Sequence, residues 1–266
     1  MGRLILCMKT DYLNYDQIAQ HYNQRYPDSQ TWERGQALLD LARQVKAKTI
    51  LEVGSGTGFW LNLLGQVTDG LYGLDYSMGM LHQAKGQPAP LKLARGTAVH
   101  LPLQSGTFDL VYCVDAIHHF GDHAAFIREA ARLLKPGGAL AVIGHDPHDA
   151  GVSSWYIYDH FDTVYDTDLR RYPSGHAVQQ WMEREGMVSP SVQIVENIRN
   201  IHVGEAVLKD PFLKHNATSQ LALLDEATYQ AGLEHIRQAL ATAKEKDERI
   251  VFRSEIRVKM ILGFKG

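Results

Sequence analysis

Apolar positions along this chain fall into two alternating periods. Between Thr49 and Gly144, short apolar runs are separated by stretches of helical spacing. The runs 49–53, 70–75, 91–94, 108–114 and 139–144 read as buried strands. A helix is predicted from about Phe59 to Gln66, and Ser77 is placed to cap another. The clearest helix opens at Asp122 as N-cap. Phe126, Ile127, Ala130, Leu133 and Leu134 share one face, and Lys135-Pro136-Gly137-Gly138 is predicted to stop it. Strands separated by helices imply parallel pairing through right-handed crossovers, hence an α/β, doubly wound sheet.

Outside this block, Asn14-Tyr15-Asp16-Gln17 reads as a capping box. It would open an amphipathic helix with Tyr15, Ile18, Ala19 and Tyr22 on one side. Residues 151–173 carry Trp155, Tyr156, Tyr158, Phe161, Tyr165 and Tyr172 in what reads as a long irregular segment, hinting at a loop or lid. Ala177 to Glu185 reads as a helix, and Val192, Ile194 and Ile198 as a strand. Residues 204–247 are helical in pattern, and Ile256, Val258, Met260 and Leu262 form a final strand. The expected organisation is a single domain over 1–266. It has a helical cap (1–45), a cofactor-binding core (46–146), an aromatic loop (147–175) and a helical insertion (204–247) between the last two strands.

A chain of 266 residues with 45% hydrophobic and 21% charged residues can bury a substantial core. The formal net charge of -3, from 27 basic and 30 acidic residues, makes no case for nucleic acid or an anionic membrane as partner. No apolar run approaches the ~20 residues of a membrane span, and the N-terminal run is too short for a signal peptide. Cys7 and Cys113 are the two cysteines, the second in a predicted buried strand, so a reducing cytoplasmic setting is expected. Helix 219–243 fits either a lid or a dimer surface, leaving monomer and homodimer both open.

The stretch LEVGSGTGFW (51–60) raises the chemical question. It lacks the lysine of a triphosphate-binding loop. Its spacing is G-x-G-x-G, with Phe59 where a dinucleotide fingerprint has glycine. Asp75 ends the second strand about 20 residues on, where nucleotide-binding α/β folds read a ribose diol. Glu52, Asp75 and Asp115 cluster at strand ends. The expected ligand therefore carries a ribose, lacks phosphate and is cationic.

Four motifs in order carry a resemblance: E-x-G-x-G-x-G in Glu52 to Gly58; Leu74-Asp75-Tyr76-Ser77; Leu101-Pro102-Leu103 before Phe108-Asp109-Leu110-Val111; and Leu133-Leu134-Lys135-Pro136-Gly137-Gly138. The chain resembles class I S-adenosylmethionine-dependent methyltransferases, nearest the quinone and small-molecule group, over residues 15–145. The resemblance implies a mostly parallel seven-stranded sheet with a helical lid insertion. The implied cofactor is S-adenosylmethionine, leaving as S-adenosylhomocysteine, and the implied partner is a small-molecule acceptor. Gly54, Ser55, Gly56 and Gly58 would face the methionine part, with Glu52 beneath. Asp75 would take the ribose hydroxyls and Tyr76 would pack on adenine. Thr97, beside Ala98, stands where many relatives have an acid for the adenine amine. Val114 and Asp115 would lie near the sulfonium, and Tyr22 would cover the cofactor.

Methyl transfer is an in-line displacement at an already activated carbon, so the protein mainly positions the nucleophile and excludes water. A base is needed only for a nucleophile that must lose a proton. His118 and His145, at the carboxyl ends of strands, are the candidates for base or substrate-orienting residue, with His119 beside the first. Ordinary packing remains an alternative for each. No metal is expected, because His145, Asp146 and His148 are loosely spaced. A binding module without catalysis, a protein or RNA methyltransferase and a nicotinamide dehydrogenase stay open as competing readings.

Overall fold

The structure is a computed structural model and describes residues 13–17, 19, 22, 33–149 and 154–266. Ile18, Cys7 and the start of the aromatic segment lie outside the described residues.

Helix α1 (Glu33–Gln44) leads into strand β1 (Ile50–Val53), every residue of which is buried. Then come α2 (Phe59–Leu63), β2 (Leu71–Asp75), α3 (Met78–Ala84), β3 (Lys92–Arg95) and β4 (Phe108–Val114). Helix α4 (His123–Leu133) begins where Asp122 Oδ1 accepts the Ala125 N–H at 2.9 Å, satisfying a first-turn donor. It buries Phe126, Ile127, Ala130 and Leu133 along one stripe.

Strand β5 runs over Leu134–His145 and so already includes the segment Lys135 to Gly138, which the pattern reads only as a helix stop. Its pairing with β4 shifts between Phe108 and Leu110, which absorbs the turn at Gly137 (φ 76°) without ending the strand. Beyond it lie β6 (Ser154–Trp155), α5 (Tyr156–His160), α6 (Val164–Arg171), α7 (Gly175–Arg184) and β7 (Met187–Val203). Two 3₁₀ turns, α8 (Ser219–Ala222) and α9 (Glu226–Glu245) precede the last strand, β8 (Val251–Lys265).

The sheet order is β3-β2-β1-β4-β5-β8, with β6 and β7 also paired to β8. Strands β3, β2, β1, β4 and β5 are parallel, and β8 pairs antiparallel with its neighbours. The sheet has eight strands where seven are expected. The extra one is short: β7 occupies one edge of β8 along its length, so β6, paired at Ser254 and Glu255, continues the edge that β5 holds from Val258 onward. The order reverses between β1 and β4, which opens a crevice at their carboxyl ends.

Two cores flank the sheet. One packs Leu38, Trp60 and Leu61 against it, and the other packs Phe126, Ile127, Val178 and Met182 on the opposite face. A third core explains why the aromatic segment is not a loop. Trp155, Tyr156, Ile157, Phe161 and Val164 are buried together with Val207, Leu213, Leu221, Ile236 and Phe252. The aromatic side chains of these short helices pack on α8, α9 and the β7–β8 ribbon. The packing is tight at Gly232 of α9, where an added Cβ would lie 2.1 Å from the Phe161 ring.

Candidate active site

The glycine loop leaves β1 and folds back over the end of β2, with the Gly54 and Ser55 N–H groups donating to Leu74 O at 2.7 and 3.0 Å. Gly56 and Gly58 both adopt positive φ, 52° and 72°, for different reasons. A Cβ on Gly58 would meet Leu91 Cδ1 at 2.8 Å, so this glycine lets the loop pack on the far end of α3. A Cβ on Gly56 would meet nothing within 4 Å, because Gly56 forms part of a cavity wall.

That cavity measures ≈ 650 Å³ and lies across the carboxyl ends of β1, β2 and β4. Its wall includes Gly54, Gly56, Asp75, Tyr76, Thr97, Ala98, Val114, Asp115 and Tyr22, all expected cofactor residues. Three others lie behind the wall. Ser55 is buried, and its Oγ has no hydrogen-bond partner among the described residues. Gly58 serves packing. Glu52 is buried beneath the loop, where the Tyr112 hydroxyl donates to its Oε2 at 3.1 Å. Burial drives the Glu52 carboxyl well above its usual range, with the neighbouring Asp75 charge adding to the rise.

Asp75 is the organising carboxylate. Oδ2 accepts the Gly56 N–H at 2.7 Å and Oδ1 the Ser77 N–H at 2.8 Å. Burial raises its carboxyl, and these backbone donors oppose the rise. A carboxylate has about four lone-pair sites, so each oxygen keeps acceptor capacity for a ligand diol. The Tyr76 ring beside it is 69% exposed and lies under the Arg95 guanidinium, leaving an aromatic face at the cavity rim.

The expected helix at 14–22 is, over its first described residues, a 3₁₀ turn (Tyr15–Gln17) stapled to α3. Asp16 Oδ1 accepts from the Ser77 hydroxyl and the Gly79 N–H, at 2.5 and 2.7 Å. The Ser77 bond does most to hold the Asp16 carboxyl below its usual range. This docking places Tyr15 over His119, with 2.6 Å between Tyr15 Oη and His119 Nε2. On the other side, Arg171 Nη2 donates to His119 Nδ1 at 3.3 Å. A guanidinium only donates, so Nδ1 is bare and the imidazole proton, assigned from this network, sits on Nε2 and points at Tyr15. Burial, and then the Arg171 charge, lower the His119 pKa to about 3, so the ring is neutral.

A second cavity of ≈ 200 Å³ adjoins the first and shares Tyr15, Tyr22 and Asp115 with it. His118, His145, Trp155, Tyr172, Asp210, Phe212, Ser219 and Gln220 contribute to its wall. Strand β6, Tyr172 just after α6, the 3₁₀ turn Pro211–Leu213 and α8 therefore build this chamber together with β7, β8 and the β4 and β5 ends. His118 stacks on Tyr172 with centroids 4.1 Å apart, and burial pushes its pKa well down. The Tyr158 hydroxyl donates to Asp168 Oδ2 at 2.8 Å, so at 3.2 Å it accepts the His145 Nε2 proton. His145 Nδ1 has no partner among the described residues, and burial lowers this ring to about 4.

Asp115 stands at the seam with a left-handed backbone (φ 48°), a conformation Asp tolerates better than most residues. Arg34 of α1 holds it, Nη1 to Oδ2 at 2.5 Å, and also pairs with Glu196 of β7 through Nε at 2.6 Å and Nη2 at 3.1 Å. Sequence reasoning singled out His118 and His145. The structure places His119, already weighed beside His118, at the seam and adds Tyr15 and Arg34. The His118-His119 pair was a visible signal for the first, but nothing local marks Arg34, whose carboxylates are 81 and 162 residues away.

Among the described residues, no group of three or more His, Cys, Asp or Glu could hold a metal, and no helix is long and apolar enough to cross a membrane. Residues 51–142 match the family model described as a methyltransferase domain. A demethylmenaquinone methyltransferase of Bacillus licheniformis is 30% identical over 138 residues, 50% of this chain and 58% of that protein. The chain spans 37 to 58% of the length of curated relatives it matches. Among solved structures, the YcgJ protein of Bacillus subtilis superposes with a TM-score of 0.60 at 20% identity, covering 87% of this chain and 97% of that one. Phosphoethanolamine N-methyltransferase 2 of Haemonchus contortus, in complex with S-adenosyl-L-methionine, superposes at 0.58 and 19% identity, covering 97% and 58%. At these identities the likeness is one of fold.

Proposed function

We propose, from the match of residues 51–142 to a methyltransferase domain, that this protein is a class I S-adenosylmethionine-dependent methyltransferase that moves a methyl group from S-adenosylmethionine to a small-molecule acceptor. The carrying observation is the pair of adjoining cavities that meet at Tyr15, Tyr22 and Asp115. The larger has the donor set a ribosyl sulfonium needs. It offers a glycine turn open to the ligand, Asp75 for the diol, Tyr76 for the base, and, among the described residues, carboxylates with no Lys or Arg in its wall. The smaller is roofed by the lid and has room for about seven water volumes, which suits a compact acceptor.

In this reading the cofactor supplies an activated methyl group. The chain's residues hold its ribose, screen its positive charge and seat the acceptor on the far side of the seam. Tyr15 sits where the two ligands would meet. Its hydroxyl is held against the His119 ring, and we assign it to orienting the acceptor atom. His118 and His145 stand deeper in the acceptor chamber as neutral imidazoles. They act as wall and hydrogen-bond partners more than as strong bases, since a base of low pKa takes a proton poorly. The relative named as a demethylmenaquinone methyltransferase acts on a small molecule, which supports the class.

The test is acceptor-dependent release of S-adenosylhomocysteine from S-adenosylmethionine across a panel of small alcohols, phenols, thiols and amines. Product formation with at least one class is expected. Tight cofactor binding without any acceptor-dependent product would favour a binding module instead.

A further inference from the structure

We propose that the acceptor is an amine recognised in its protonated form, an inference that rests on the methyltransferase reading of the same site. The argument is one of charge and ring faces. Among the described residues, the walls of the two cavities carry four carboxylates, Asp16, Asp75, Asp115 and Asp210, and one guanidinium, Arg34. All three Arg34 nitrogens are already engaged, two by Glu196 and one by Asp115. Neither His118 nor His145 supplies positive charge, because burial keeps both rings neutral at physiological pH. Among the described residues of these walls, a carboxylate, phosphate or sulfate on the acceptor would therefore meet no uncommitted cation, and it would lie next to carboxylates that repel it. The single positive charge of the bound cofactor does not reverse this excess.

The apolar part of the same wall is aromatic. Trp155, Tyr172 and Phe212 line the chamber, with Tyr15 and Tyr22 at its mouth. Aromatic faces beside carboxylates are the chemistry that recognises an ammonium group. The acceptors on this wall, including Asp115 Oδ1 and the carbonyl group of Asn200, suit N–H donors.

The transfer step balances simply. The bound ammonium first gives a proton to solvent. The nitrogen lone pair then forms the N–C bond while the C–S bond breaks, its electron pair going to sulfur. The products are S-adenosylhomocysteine and the methylated ammonium.

The experiment uses the full chain saturated with S-adenosylhomocysteine, titrated calorimetrically with phenyltrimethylammonium, phenethyl alcohol and phenylacetate. The quaternary cation is expected to bind at least tenfold more tightly than either of the others. Asp210→Asn is expected to weaken it about tenfold while leaving S-adenosylhomocysteine affinity within a factor of three. Phenylacetate or the alcohol binding as tightly as the cation overturns the proposal, as does absence of cation binding to the wild-type complex. Failure of S-adenosylhomocysteine itself to bind would instead remove the underlying methyltransferase reading, so the two failures are separable. If Asp210→Asn does not fold, the wild-type preference among the three probes decides alone.

Discussion

Removing the Asp75 carboxylate probes the cofactor assignment most directly. Each Asp75 oxygen spends one acceptor position on a backbone N–H, from Gly56 at 2.7 Å or Ser77 at 2.8 Å. The remaining capacity can take two ribose hydroxyls. A hydrogen bond to a charged acceptor contributes about 1.5–3 kcal/mol. Two of them, partly replaced by water in the variant, give an expected loss of about 3–4 kcal/mol for Asp75→Ala. At about 1.4 kcal/mol per factor of ten, S-adenosylhomocysteine affinity should fall roughly 100- to 700-fold. Asp75→Asn keeps one acceptor and should fall about 10- to 100-fold. Calorimetric titration reads both. The control is the deoxyribose analogue of the ligand, which should bind the wild type weakly and lose little further in Asp75→Ala. A change below about threefold in Asp75→Ala, or wild-type affinity undiminished for the analogue, would refute the diol assignment.

Three further outcomes are expected. Gly58→Ala forces a Cβ to within 2.8 Å of Leu91 at positive φ and should cost about 2–4 kcal/mol in urea denaturation, from strain plus overpacking. Gly56→Ala meets open space and should cost only about 1–2 kcal/mol, yet weaken S-adenosylhomocysteine binding more than any mild destabilisation explains. Equal stability losses would undo this distinction. Tyr15→Phe should lower turnover about 10- to 100-fold with cofactor affinity within threefold. An unchanged rate would return Tyr15 to a purely structural role. His145, depressed to about 4 from its ordinary 6.5, makes the unfolded chain the better proton binder between those values. Stability should therefore fall as pH drops through that window, by up to about 1.4 kcal/mol per pH unit from this ring. His119 adds in the same sense, and Asp168, raised to about 6 by burial, opposes it between about 4 and 6. The comparison of wild type with His145→Asn isolates the ring, and identical pH slopes would contradict its buried neutral state.

Much of the core could be read locally. A parallel strand buried on both faces must be an apolar run, and a glycine turn followed by an acid at the next strand end is a short-range pattern, so β1, β2, β4, Gly54, Gly56 and Asp75 stand out along the chain. The lid could not be read this way. Trp155, Tyr156 and Phe161 look like an unstructured aromatic segment because their partners, Val207, Leu221, Ile236 and Phe252, are some 50 to 90 residues away. Likewise, β6 is two residues long and exists only because Glu255 and Ser254 of β8 offer it an edge.

The seam between the cavities shows the division most clearly. Local order and backbone chemistry sufficed to specify a loop for a ribose-bearing cation. Which histidine meets Tyr15, why Arg34 neutralises Asp115 and not an acceptor, and how large the acceptor chamber is were decided by tertiary packing. Those properties depend on charges and rings that are brought together only when β7, β8 and the lid close over the sheet, and sequence separations of 81 to 162 residues leave no local trace of such contacts.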